Sequence, residues 1–465
     1  MKKRIAAEWE PAIGVMVAWP FIVPRSLVEA YMDDTQLYLL VADDEAEAEA
    51  RSAIARWGRD ADGVVYVKVP QGEDCGWPRD WGPQPLFDAE GGYHILGPTY
   101  LYSTPFCDPG HDAPLYCAGD EPEPLENYEG DGLDDQAAGA IAQALGVDFV
   151  KAPFAFTGGN VLSDGVNSLF STEVLLFENR FRGLDDDAYF KAVAELTGMT
   201  NYTVLSDYEH FSLNHVDCLA KPLDDRRILV LRYPEDHPQH QLVEDIVEKE
   251  LASAVNSYGQ PWEVVRVDTN YIHREGELAA YANSLILNKT VYVPLYSIPQ
   301  DEIALKQWAD AMPGYTIRGF TFKIDEEPDF NDYRGIYEYV GWDPGDVLHC
   351  RSRAVWDPGM LYVRATRPAG AVATGEPYRV DATVWAYSGE PLTGAPVLRY
   401  RIQGADEWVS APMEASATHE VYGATIPGFP AGTTVEFYVE ASDASGRCEC
   451  APRVAPAGFY SYQVA

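Results

Sequence analysis

Four short segments of this sequence combine a reactive group with residues that force the backbone: CGWPRDWGP at 75–83, TGGN at 157–160, NHVD at 214–217 and GDVLHC at 345–350. Together they supply a thiol, an imidazole and two carboxylates, those of Cys350, His215, Asp80 and Asp217. That set suits attack on a planar, cationic carbon. A guanidinium carbon is a poor electrophile because its charge is delocalised, so a site must orient it and present a strong nucleophile. Carboxylates grip guanidinium nitrogens in bidentate fashion, which is the part Asp80 and Asp217 would play. Cys350 would attack as the thiolate, whose formation a nearby cation favours. His215 would protonate the departing ammonia and then activate water.

Each segment also has a plain structural reading. A single cysteine is usually a small hydrophobe, and an Arg-Asp pair is usually a salt-bridged turn. The combination is what points to chemistry. His215 and Asp217 are two residues apart, and alternate residues of a strand share a face, so the spacing predicts a strand that turns both into one pocket. Asp80, with Pro78 before it and Gly82 and Pro83 after it, is predicted on a constrained turn.

The elements that must position these groups read as α/β. VYVKVP at 65–70, SLFST at 168–172, ILVLRY at 228–233 and TVYVPLY at 290–296 are strand-like. Between them EAEAEARSAIARW, DDQAAGAIAQALG, DDAYFKAVAELTG and HQLVEDIVEKELASAVNS carry apolar residues at helical spacing. From about 104 to 135 the pattern gives way to a Pro-, Gly- and acid-rich stretch, predicted as a surface insertion without the ligand spacing of a calcium loop. After DPGM at 357–360 only alternating β runs follow, about seven short strands, which is what an immunoglobulin-like sandwich requires. The predicted domains are therefore 1–360, α/β, and 361–465, all β. A chain of 465 residues exceeds one ordinary core, in keeping with two.

With 73 acidic and 34 basic residues the formal net charge is −39, which repels nucleic acid and anionic membranes and attracts cationic ligands. No apolar run is long enough to span a membrane, and MKKRIAAEWEP is not a signal peptide. Cytoplasmic residence and secretion after removal of a signal both stay open. The cysteines number 7, too few for a disulfide scaffold; Cys107 and Cys117 could pair, whereas a bridge between Cys448 and Cys450 would be strained. No metal site is predicted.

The motifs, taken in order, resemble the guanidine-modifying (pentein) superfamily, in the branch of agmatine deiminases and the bacterial peptidylarginine deiminase. The resemblance rests on AEWEP at 7–11, AWP at 18–20, RDWGP, GGN, HVD, YANSLILNKTVYVP at 281–294 and LHC, and spans nearly all of residues 1–356. It implies a pseudo-fivefold α/β propeller with a central active site, a covalent thiouronium intermediate and no organic cofactor. It also implies Cys350 as nucleophile, His215 as acid/base, Asp80 and Asp217 as guanidinium clamps, Asn283 in the substrate pocket and Trp77 against the substrate's aliphatic stem.

The appended β domain is similar to that of the bacterial peptidylarginine deiminase, so the leading expectation is an arginine-containing peptide or protein, converted to citrulline. That enzyme holds a peptide carboxylate with arginines after its RDxGP-type motif, but the corresponding stretch here, about 97–112, contains no Arg. Agmatine is the alternative small guanidine substrate. Asp346, where a second Gly is expected, is a further departure. Amidino transfer and a non-catalytic protein that binds cationic ligands are the competing readings. Calcium independence is expected.

Overall fold

The computed structural model describes residues 2–72, 75–100, 132–208, 215–272, 276–323, 341–342 and 347–465. It divides into two compact units, Met1–Ala311 with Ile317–Trp356, and Met312–Thr316 with Asp357–Ala465.

The first unit is mixed α/β and, among the described residues, holds five small sheets. One repeating pattern builds them: a short strand pairs antiparallel with a second, and the second runs parallel to a third reached through a helix. Gln84–Phe87 pairs antiparallel with Tyr93–Thr99, which runs parallel to Asp148–Ala155 after helix Asp134–Leu145. Leu162–Ser163, Ser168–Thr172 and Asn201–Leu205 repeat the pattern around helix Asp186–Thr197, and Ala220–Pro222, Arg227–Arg232 and Glu263–Asp268 repeat it again. Leu285–Leu287, Thr290–Leu295 and Thr316–Thr321 form the fourth sheet. In the fifth, Arg353–Trp356 pairs antiparallel with Ala12–Ala18, which runs parallel to Gln36–Val41.

The local sequence explains these elements. Leu37 to Val41 are all buried, as a parallel strand covered on both faces requires. Helix Asp44–Arg56 starts at Asp43, whose carboxylate accepts from the N–H groups of Glu45 and Ala46, and carries three acids in its first turn. Helix Asp186–Thr197 buries Tyr189 and Val193 and ends at Gly198, whose φ of 75° suits a residue without Cβ. Each of those two side chains contributes about 2 kcal/mol of apolar burial. The segment at 240–257 is helical only to Leu251, with a π turn over Ile246–Leu251, after which Asn256 closes a turn by accepting from Tyr258 N–H.

The second unit has two sheets, whose strands pair antiparallel. One contains Leu361–Ala365, Tyr378–Ala386, Val421–Ile426 and Glu414–Ala415; the other is built on Val397–Ile402 and Thr434–Ser442. Val380, Val384 and Ile426 of the first share a core with Leu398, Phe437 and Val439 of the second. Among the described residues no helix is long and apolar enough to cross a membrane.

Candidate functional site

Each of the five sheets of the first unit is preceded by a segment that carries chemistry. Asp80 stands before Gln84–Phe87, Gly158–Asn160 before Leu162–Ser163, and His215 with Asp217 before Ala220–Pro222. Asn283 stands before Leu285–Leu287, and Cys350 before Arg353–Trp356. Hydrogen bonds join these segments in a circle. Arg79 N–H donates to Cys350 O at 3.2 Å, and Gly158 N–H to Asp80 O at 2.8 Å. Val216 N–H donates to Asn160 Oδ1 at 3.0 Å and Asn283 Nδ2 to Cys218 Sγ at 3.4 Å. His349 N–H closes the circle on Asn283 O at 3.2 Å.

The four residues expected to carry the chemistry meet in this circle. Cys350 is fully buried, with its Sγ 3.7 Å from Asp217 Oδ2. His215 Nδ1 is 3.5 Å from Asp80 Oδ1. A Cβ on Gly159 would lie 2.4 Å from Asp80 Oδ1, 2.9 Å from His215 Nδ1 and 3.3 Å from Asp217 Oδ2, so all three groups converge on the space that this glycine leaves. Gly159 N–H also donates to Asp80 Oδ1 at 3.2 Å. His215 Nδ1, although buried, makes no hydrogen bond among the described residues. Burial lowers the His215 pKa, against the opposing pull of Asp217, and so favours the neutral imidazole.

One expectation needs correction: His215 and Asp217 do not lie on a strand. His215 is the extended residue before a single helical turn, Val216–Leu219, which contains Asp217. Asn160 imposes this geometry by accepting from Val216 N–H, and Tyr208 OH donates to His215 O at 2.8 Å. Asp80 does occupy a turn, with its N–H on Trp77 O at 3.0 Å. Trp77 is half-buried in the same turn. Cys107, Cys117, Asp346 and residues 104–131 of the acidic insertion lie outside the described residues.

Glu8, Arg79 and His349 stand in the quoted motifs but had no predicted role, and Asn283, expected in the substrate pocket, makes contacts beyond that expectation. Its Oδ1 accepts from the N–H groups of His349 and Cys350 at 2.9 and 3.4 Å, which turns Nδ2 toward Cys350 Sγ at 3.1 Å. His349 sets Nδ1 against Asp217 Oδ2 at 2.6 Å and Nε2 against Glu8 Oε2. A neutral imidazole donates from one nitrogen only, so both contacts are hydrogen bonds when the trio carries two protons. Burial alone would raise the Asp217 carboxyl, but the hydrogen bond and charge of His349 outweigh it and hold the carboxyl below its usual range. Glu8 also accepts from Lys221 Nζ at 3.1 Å and from Ile286 N–H at 2.7 Å. Arg79 Nε donates to His349 O at 3.2 Å.

Asp217, Cys218 and Cys350 place their donor atoms within 4.8 Å of one another. Two sulfurs and a carboxylate would suit a thiophilic cation, which would then sit on the sulfur needed for attack. The same sulfur, held by an amide donor and flanked by carboxylates, is arranged to receive a cationic carbon.

Comparison with known proteins agrees with that chemistry. A curated relative from Vibrio parahaemolyticus, named "Putative agmatine deiminase", is 26% identical over 348 residues, covering 67% of this chain and 89% of its own. The structure of the Enterococcus faecalis agmatine deiminase aligns with a TM-score of 0.55 at 18% identity, over 76% of this chain and 95% of that one. The C. jejuni agmatine deiminase aligns at 0.54 and 17%, over 77% and 97%. At these identities the two structures speak for a shared fold. The profile of the Porphyromonas-type peptidyl-arginine deiminases matches residues 4–324, well over half of the sequence. The chain belongs to that family, whose members are hydrolases that deiminate guanidine groups.

Proposed function

We propose that this enzyme deiminates agmatine, yielding N-carbamoylputrescine and ammonia. The observation that carries the reading is the convergence of Cys350, His215, Asp80 and Asp217 on one buried space, with the amide of Asn283 on the sulfur. The curated relative's name favours agmatine over the peptidyl arginine that the sequence put first. The lack of Arg across 97–112 points the same way, since agmatine has no carboxylate to hold. The family description favours peptidyl arginine and keeps that reading as the second.

In the proposed reaction the two carboxylates hold the guanidinium, whose charge stabilises the thiolate that forms as the Cys350 thiol passes its proton to the neutral His215. The thiolate adds to the guanidinium carbon. His215 supplies the proton with which the terminal nitrogen leaves as ammonia, and a thiouronium stays on the sulfur. A water molecule gives its proton to His215 and adds to the same carbon, after which the C–S bond breaks and releases the ureido product and the thiolate. Trp77, which is half-buried, would pack against the aliphatic stem. No organic cofactor enters this scheme. The five sheets, each following one site segment, support the pseudo-fivefold propeller for residues 1–360. The two antiparallel sheets support an immunoglobulin-like sandwich for 361–465.

The test is ammonia release from agmatine, free arginine, and peptides with internal or C-terminal arginine, with the native enzyme and Cys350→Ala. Agmatine is expected to be the preferred substrate, and Cys350→Ala to be silent while still folded. Turnover of peptides but not agmatine would overturn the substrate assignment. Activity in Cys350→Ala would overturn the mechanism.

A further inference from the structure

The four strands Gln84–Phe87, Leu162–Ser163, Ala220–Pro222 and Arg353–Trp356, which follow the site segments, help to enclose a second space, a cavity of about 20 Å³. That volume suits one water or one monatomic ion. Its lining includes Glu8, Arg79, Gln84, Lys221, Arg353 and Trp356, three cationic side chains against one carboxylate. Glu8 is already engaged with Lys221, His349 and Ile286 N–H.

Among the described residues, two buried donors on this wall lack an acceptor. Arg79 NH2 makes no hydrogen bond, and the Glu8 carboxylate is 3.8 Å from it. Gln84 Nε2 makes none either. The orientation of the Gln84 amide is fixed chemically: Arg353 NH2 donates to Gln84 Oε1 at 2.8 Å, and a guanidinium cannot accept, so Nε2 must face elsewhere. Both side chains belong to residues only 3% exposed, where an unmade hydrogen bond is costly. Two further Arg353 donors are engaged, Nε on Pro83 O at 2.6 Å and NH1 on Arg79 O at 3.0 Å. Burial, and next the charge of Arg79, lower the Arg353 pKa, against the opposing pull of Glu8, Tyr93 and Asp80.

We propose that this cavity is a binding site for a single monatomic anion, chloride in solution, held by Arg79 and Gln84. An acceptor-only ligand satisfies both donors and the excess charge at once, whereas a water would present its own protons to a wall already rich in donors. Because Arg79 also holds the carbonyls of His349 and Cys350, the anion would brace the nucleophile's backbone from behind. The binding claim does not rest on the substrate assignment.

The experiment uses the full chain with bromide as probe. Crystals soaked in sodium bromide are expected to show an anomalous peak between Arg79 and Gln84. The melting midpoint is expected to rise saturably, by roughly 1 to 3 °C, when gluconate is replaced by bromide or chloride at constant ionic strength. Gln84→Glu, which builds the negative charge into the wall, is expected to melt independently of halide. If that variant fails to fold, the anomalous map of the native protein decides. Absence of a peak in the cavity together with halide-indifferent melting would overturn the proposal and leave a water as the occupant.

Discussion

Asn283 is the most informative residue to perturb, because its amide serves the backbone with one atom and the sulfur with the other. In Asn283→Ala, Cys350 Sγ loses a donor at 3.1 Å, and the N–H groups of His349 and Cys350 lose their side-chain acceptor. A hydrogen bond to a charged partner is worth about 1.5–3 kcal/mol, so kcat/KM should fall roughly 10- to 150-fold. Stability should fall as well, by about 1–3 kcal/mol for a buried group left unpaired. Asn283→Asp separates the two effects. It keeps an acceptor for both N–H groups but places a negative charge where the donor was. At an effective dielectric of about 20, two like charges some 4 Å apart repel by about 4 kcal/mol, so the thiolate should be suppressed about a thousandfold. The assays are ammonia release, the pH dependence of Cys350 alkylation by a cationic haloacetamidine, and urea unfolding. The Asp variant should be the more stable and the less active of the two, with alkylation shifted to higher pH. An Asp variant within threefold of native activity would refute the reasoning.

Gly159→Ala should lower kcat/KM by more than 100-fold with the fold retained, because the new methyl meets Asp80 and His215 at 2.4 and 2.9 Å; native activity would mean that these groups need not converge there. For pH, the folded His215 resists protonation while the unfolded one accepts a proton near pH 6.5, so stability is lost as pH falls below about 6.5. This proton contributes a slope of at most about 1.4 kcal/mol per pH unit, and denaturation of His215→Gln should lack it; an unchanged slope would contradict the assignment. Asp217, held below its usual range, keeps its stabilisation above about pH 3.9 and loses it only as pH falls through its lower folded value. Glu8→Ala strands the Lys221 ammonium, whose side chain is 1% exposed, and should cost about 3–5 kcal/mol in urea unfolding. A cost under about 1 kcal/mol would show that water reaches the pair. EDTA should leave ammonia release unchanged; lost activity restored by calcium would contradict the expected calcium independence.

The strands and helices of the first unit were legible because their apolar residues recur with the period of the element that buries them, as in 168–172 and 186–197. Cys350, His215, Asp80 and Asp217 were legible because few residue types do this chemistry and each stands in a short segment that also holds Gly, Pro or Asn. The helical turn at Val216–Leu219 was not, since two residues of spacing fit a strand as well as a short turn, and the deciding contact comes from Asn160, 56 positions earlier. His349 was hidden for the same reason. Its neighbours in sequence say nothing of Glu8, which meets it across a separation of 341 residues. The unpaired amide of Gln84 is invisible to any local pattern, because it follows from where Arg353 spends its donors.

The pairing of Arg353–Trp356 with Ala12–Ala18 sets the timing of catalytic competence during synthesis. The strand beside the nucleophile is the last of its unit to leave the ribosome, and its partner is among the first. Until residues 349–356 are available, Gly14 to Met16 lack this partner strand, and the circle of site segments and the Glu8–His349 contact are incomplete. Such long-range closure makes folding slow and leaves an exposed strand edge on incomplete chains. Premature termination anywhere before this strand therefore yields wholly inactive products rather than weakly active ones.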